Sequence, residues 1–342
     1  MTRHIQPIGD LTLDCGQTLR DVEIAYEALG TLSPERDNVI LVAHGFTSGP
    51  DTIVAKGDPL LAMEGSFQDL VGAGKPLDTD RYYVLCPNAL GSTYGSTGSA
   101  SMDPATGKPY GSRFPPITIR DIVASQRALL DRLGIDQMFA VVGPSFGGFQ
   151  ALQWGVSYPQ AMKGIVALLT SLGPPPSNPE AIRQGLSKNP YWNGGDYYDH
   201  GNLIDTLVPM RIGMLTGYGV DTALTASHPD PDERRAVMRQ RALAWAEGFD
   251  ANALLVIMKA MGTHDVRAEL DKMKARVLYI LSRTDSIFPP TLAPEAFDRF
   301  YAAGVAASYF EIDSDNGHSA ASVDSDKWGD ELRRFLRGLE SA

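Results

Sequence analysis

The chain has 342 residues, 43% hydrophobic and 21% charged, with a formal net charge of −11. These are the proportions of a globular protein with ample material for a buried core. The acidic excess repels phosphate backbones and anionic lipid, which argues against nucleic-acid and membrane partners. Two cysteines, Cys15 and Cys86, are too few for a disulfide framework, and no Cys/His cluster suggests a metal site. The opening "MTRHIQPIGD" lacks the apolar segment of a secretory leader, and no apolar stretch reaches spanning length. A cytoplasmic protein is expected.

Six short apolar runs are bounded by turn residues: "NVILVAHG" (38–45), "YYVLCPN" (82–88), "MFAVVGPS" (138–145), "GIVALLT" (164–170), "RVLYILS" (276–282) and "ASYFEID" (307–313). Their nearly continuous apolar character predicts strands covered on both faces, as in a parallel sheet. Cys86, inside the second run, reads as a small buried hydrophobe. "TIRDIVASQRALLDRLG" predicts a helix capped by Thr118 and closed by Gly134, with Ile122, Gln126, Leu129, Leu130 and Leu133 on one stripe. A second helix follows Ser145 through Ala151, Leu152 and Trp154. A third closes the chain, with Leu332, Phe335, Leu336 and Leu339 facing inward.

Strands alternating with helices predict an α/β fold, a mostly parallel, doubly wound sheet. The alternation fails from 171 to 265, where "SLGPPPSNPEAIRQGLSKNPYWNGGDYYDHGN" is rich in Pro, Gly and Asn and helical segments follow. The expected organisation is a core of residues 1–170 and 266–342 with a helical lid, 171–265, over the carboxyl edge of the sheet.

Gly143-Pro144-Ser145-Phe146-Gly147 reads G-x-S-x-G between a predicted strand and a predicted helix. To pass from one to the other within one residue, Ser145 must take a strained conformation. Small residues two positions either side let the neighbouring chain approach. The hydroxyl then stands at a helix N-terminus, where the dipole favours negative charge. A serine needs a neighbouring base to become a nucleophile. With this turn the chain order is serine, acid, histidine. Of six histidines, only His318, in "DSDNGHSAAS", follows the last strand run. Asp285, in "VLYILSRTDSIFPP", stands just past a strand at the carboxyl edge. Asp313 and Asp315 are rivals, but they lie too near His318 in sequence to orient its ring easily. An oxyanion hole needs two backbone N–H groups. Phe146 offers one and Phe46, in "VAHGFTSG", the other, with Thr47 as the alternative. His44 is expected to be structural beneath that loop.

On these residues the chain resembles the homoserine O-acetyltransferase family of the α/β-hydrolase superfamily over most of its length. The resemblance is carried by "NALGSTYGSTGSASMDPATGKPYGSRFPPITIRDIVASQRALLDRLGI" (88–135), "GPSFGGFQALQW", "NPYWNGGDYY" (189–198), "SRTDSIFPP" and Gly317-His318. It implies an α/β-hydrolase fold with an inserted helical lid, a Ser145–Asp285–His318 triad, ping-pong acyl transfer and a homodimer joined through the lids. It also implies that Arg211 and Tyr218, seven positions apart in "MRIGMLTGY", address the acceptor's carboxylate, for which the guanidinium fork is suited.

Three departures stand out. Ser319 follows His318 where the family has an aspartate suited to the ammonium of homoserine, which makes 319 a substrate-binding position of altered character. "HGFTSG" replaces "HALTG", and Phe146 stands where methionine is common. They favour water as the final acceptor. The expected activity is therefore a carboxylesterase-like hydrolysis of a small ester or thioester through an acyl-enzyme, with no bound cofactor. The alternative is an O-acetyltransferase acting on homoserine or a related small alcohol, with acetyl-CoA as co-substrate. A non-catalytic binding protein on the same fold is the third reading, opposed by the complete set of three candidate residues.

Overall fold

The computed structural model describes residues 3–340. Its strands β1 (His4–Thr12), β2 (Thr18–Leu29), β3 (Val39–Val42), β4 (Tyr83–Pro87), β5 (Met138–Pro144), β6 (Met162–Leu168), β7 (Arg276–Ser282) and β8 (Ala307–Ile312) form one sheet. The order across it is β1-β2-β4-β3-β5-β6-β7-β8. From β4 to β8 every pairing is parallel. The six apolar runs supply these six strands, and β5 is buried along its whole length, as a strand covered on both faces must be. The expectation of two covered faces fails for β8, an edge strand with Ser308, Tyr309 and Glu311 exposed.

β1 and β2 are absent from the sequence reading. They form an antiparallel hairpin whose register shifts on either side of Gly9, and β2 joins β4 antiparallel. Their pattern explains the omission. Leu19, Val22 and Ile24 are buried while Arg20, Asp21 and Glu23 are exposed, so no continuous apolar run marks the strand.

The pleat sends alternate residues to opposite layers. Val39, Leu41, Val141 and Val277 pack with α1 (Ile119–Arg132), α2 (Phe146–Ser157) and α8 (Ala293–Ala302). Ile40, Val42, Val142 and Leu278 pack with Trp328, Leu332, Phe335, Leu336 and Leu339, which lie on α10 (Ser325–Glu340), after the short α9 (Ala320–Val323). Helix α1 begins in a capping box in which the Thr118 hydroxyl and the Asp121 carboxylate bond each other's backbone N–H. The polar member of its buried stripe has a use: Gln126 donates to Gln150 and accepts from the Trp154 indole, both on α2, at 2.6 and 2.7 Å. That buried chain fixes α2, and with it the residue before α2.

Between β6 and β7 lie α3 (Pro179–Ser187), α4 (Ile204–Gly217), α5 (Val220–Leu224), α6 (Pro231–Gly248) and α7 (Ala251–Met261). These inserted helices have an apolar centre of their own, built on Leu186, Trp192, Leu207, Trp245 and Leu254. Helix α7 ties it to the main core, because Ile257 and Ala260 pack on the sheet side. Among the described residues no helix is long and apolar enough to cross a membrane.

Candidate active site

Ser145 is the single residue between β5 and α2, and its φ of 55° with ψ of −119° is a conformation that side chains rarely adopt. Four bonds hold it there: its N–H donates to Leu168 O at 2.8 Å, and its carbonyl accepts from Gly148 N, Phe149 N and the Thr170 hydroxyl. The flanking glycines are required by contact. A Cβ on Gly143 would lie 2.1 Å from Gly147 O, and one on Gly147 would lie 2.0 Å from Ala43 O. Phe146 opens α2, so its N–H has no acceptor within the helix.

Asp285 follows β7 and His318 lies on the turn before α9. His318 Nδ1 lies 2.8 Å from Asp285 Oδ2. Asp285 is buried, and its other oxygen accepts from the N–H groups of Ile287 and Phe288. With Oδ1 so engaged, Oδ2 is aimed at the ring. Nδ1–H donation to it leaves Nε2 as a bare acceptor. The rings of Tyr218 and Phe288 flank His318 at 5.4 and 5.7 Å. The rival acids are occupied elsewhere: Asp313 and Asp315 pair with Arg283 at the surface, at 2.8 and 2.9 Å.

Ser145 and His318 open onto one narrow pocket, whose wall includes Phe46, Thr47, Met63, Glu64, Tyr218 and Ser319. Its free volume is about 60 Å³, room for about four waters and hence for a short acyl group. His44, beneath the loop, is fully buried; its Nδ1 faces Gly45 O at 2.8 Å and its Nε2 accepts from Ala89 N at 3.0 Å. Burial holds its pKa below the usual imidazole value.

The three residues expected to bind substrate are placed differently from one another. Tyr218 lines the pocket. Ser319 lines it too, but its hydroxyl donates to Asn316 O at 2.7 Å and its N–H donates to Tyr218 O at 2.8 Å. Arg211 is 2% exposed, donates from Nη1 to the Thr47 hydroxyl at 2.6 Å, and lies with Cζ 5.1 Å from the centre of the Trp245 ring. Among the described residues its Nε is buried without a hydrogen-bond partner. It opens into a second hollow lined by Thr47, Glu64, Tyr94 and Trp245. Thr47 and Glu64 belong to both walls. Glu64 is absent from the sequence reading, since nothing in "LLAMEGS" forms a motif. It ends the short helix Pro59–Glu64, and its carboxyl pKa is raised by burial, against the pull of Arg241 and Arg211.

The model of the alpha/beta hydrolase fold matches residues 38–324. A homoserine O-acetyltransferase of Symbiobacterium thermophilum is 37% identical, over 99% of this chain and 95% of its own. The crystal structure of homoserine O-acetyltransferase from Bacillus anthracis superposes with a TM-score of 0.86 at 26% identity, covering 98% of this chain and 97% of that one. Esterase E22 superposes with a TM-score of 0.85 at 26% identity, covering 98% and 99%.

The expectation of a carboxylesterase-like hydrolase is corrected by these relatives, because the sequence relatives bear the transferase name. The residues behind that expectation have other local uses. The Ser319 hydroxyl closes its own turn on Asn316, and Thr47 of "HGFTSG" receives Arg211. Kinship along nearly the whole sequence, on a fold that superposes end to end, makes the chain a member of the homoserine O-acetyltransferase family within the α/β-hydrolase superfamily.

Proposed function

We propose that the protein transfers an acetyl group from acetyl-CoA to the hydroxyl of homoserine or a related small alcohol. The observation that carries this reading is the His318–Asp285 bond at 2.8 Å beside a pocket that His318 shares with Ser145. Nε2 of His318 takes the proton of Ser145 as Oγ attacks the thioester carbonyl. The amides of Phe46 and Phe146 hold the oxyanion. The C–S bond breaks, and the thiolate leaves with the proton from the imidazolium. The acceptor's hydroxyl then gives its proton to His318 and attacks the acetyl ester, and Ser145 departs with that proton.

Arg211 and Tyr218 take the acceptor's carboxylate. The unpartnered Nε of Arg211 supports that assignment, since a buried guanidinium with a free donor is matched by an anion. The inserted helices act as a lid that keeps water from the acetyl ester. The active form is a homodimer joined through these helices, on which Leu243 is an exposed apolar side chain. We place it in the cytoplasm, where a thioester donor is available.

The test is thiol release from acetyl-CoA with and without homoserine. A rate that depends on homoserine and vanishes in Ser145→Ala is expected. Equal release with and without the acceptor overturns the reading.

A further inference from the structure

The acceptor proposed above is a zwitterion, and its two charges need two partners where the pocket of Ser145 and the hollow of Arg211 share the wall of Thr47 and Glu64. Arg211 serves the carboxylate. The ammonium has no carboxylate at position 319, where a serine stands with its hydroxyl already committed to Asn316 O. A cation left without a partner in such a place is costly to desolvate, so another acid must face it.

Glu64 is placed to do so. It reaches the pocket of Ser145 and His318 from the wall formed by the short helix Pro59–Glu64, and it also borders the hollow of Arg211. Its side chain is 22% exposed. Its nearest cation is Arg241, whose Nε lies 2.7 Å from Oε1, while Nη2 lies 2.8 Å from Asp58. Among the described residues neither of those nitrogens makes a hydrogen bond, despite the short separations. The pairing is therefore close in charge and poor in direction. Among the described residues no well-angled hydrogen bond ends on the Glu64 carboxylate, so it keeps accepting capacity for a ligand beside its pair with Arg241. Arg211 and Glu64 thus border one hollow with opposite charge and without an ion pair between them, an arrangement that an amino acid's two charged groups would complete.

We propose that Glu64 binds the ammonium of the acceptor, in place of the carboxylate that position 319 does not supply, and so restricts the acceptor to amino-acid alcohols with a free amine. This rests on the transferase reading. It makes Glu64 a specificity-determining residue of the second half-reaction, after the acetyl group is on Ser145.

The experiment compares homoserine with 4-hydroxybutanoate, which keeps the hydroxyl and the carboxylate and lacks the amine. Thiol release from acetyl-CoA gives kcat/KM for each acceptor in the wild type and in Glu64→Gln. The wild type should prefer homoserine, and the preference should fall at least about tenfold in the variant, the scale on which a lost polar contact degrades discrimination. Equal losses for both acceptors, or an unchanged preference, overturn the proposal while leaving the transferase intact. A wild type that uses water alone overturns the transferase reading and this proposal together. Should Glu64→Gln fail to fold, Glu64→Asp is read in the same way, with an unchanged preference and an unchanged KM for homoserine counting against the proposal.

Discussion

Nη1 of Arg211 lies 2.6 Å from Oγ1 of Thr47, so a guanidinium on α4 is fixed to the loop that carries the Phe46 amide. The bond joins the proposed acceptor side of the site to the proposed oxyanion side. Arg211→Lys keeps the charge but loses the planar fork and the stacking on Trp245. The expected outcome is a rise of about tenfold or more in the KM for homoserine, the size of one lost charge-assisted hydrogen bond. Steady-state kinetics with varied homoserine check it, and an unchanged KM removes Arg211 from acceptor binding.

Asp285→Asn separates orientation from folding. Oδ1 can go on accepting from Ile287 and Phe288 as an amide oxygen, so the loop should persist. The other arm becomes a donor and favours the wrong imidazole tautomer. The expected loss in kcat is about 10³- to 10⁴-fold, with thermal stability close to that of the wild type. Thiol-release kinetics beside a melting curve give both quantities.

Ser145 holds a positive φ that glycine adopts freely. Ser145→Gly should abolish turnover and yet raise stability by about 1 kcal/mol, as backbone strain at the turn is relieved. Denaturant melts of the two proteins decide it; a less stable variant would show that the turn is not strained.

His264 gives a pH dependence of stability. It is stacked on Phe149 at 4.3 Å, its Nδ1 has no partner among the described residues, and burial lowers its pKa to about 4. In the unfolded chain it takes a proton near pH 6.5. Between those values the unfolded state binds the proton and the folded state does not, so stability falls as pH falls. The loss for this one group is about 3 kcal/mol across the window. Urea midpoints at pH 7 and pH 5 should differ less in His264→Gln than in the wild type. Equal differences would exclude His264 as the source.

The parts of the protein legible in its sequence are those where the backbone restricts the residue. Gly143 and Gly147 announce the turn because a Cβ at either would strike a carbonyl oxygen. Strands β3 to β7 are legible because burial on both faces forces nearly continuous apolar runs, whereas the edge strand β8 is largely open to solvent and β2, exposed along much of one face, mixes Arg20, Asp21 and Glu23 with its core residues. The pairing of His318 with Asp285, seen at 2.8 Å, was legible from their order and from the elements they follow. Glu64 could not. Its surroundings come from α4 and α6, far along the chain, and a lone acid in a short turn of helix carries no local signature. The change at Ser319 was legible as a residue and misleading as evidence: it pointed to hydrolysis, while the relatives of the chain are named as transferases.

The link between Ser319 N and Tyr218 O, at 2.8 Å, joins the end of α4 to the turn that bears His318. At the next residue, Gly219, an added Cβ would sit 2.6 Å from Asn316 O, so the two backbones touch with no intervening side chain. Any outward swing at this corner must part that latch and tug on the imidazole. On the transferase reading proposed above, admission of reactants and readiness to react would then be one mechanical event.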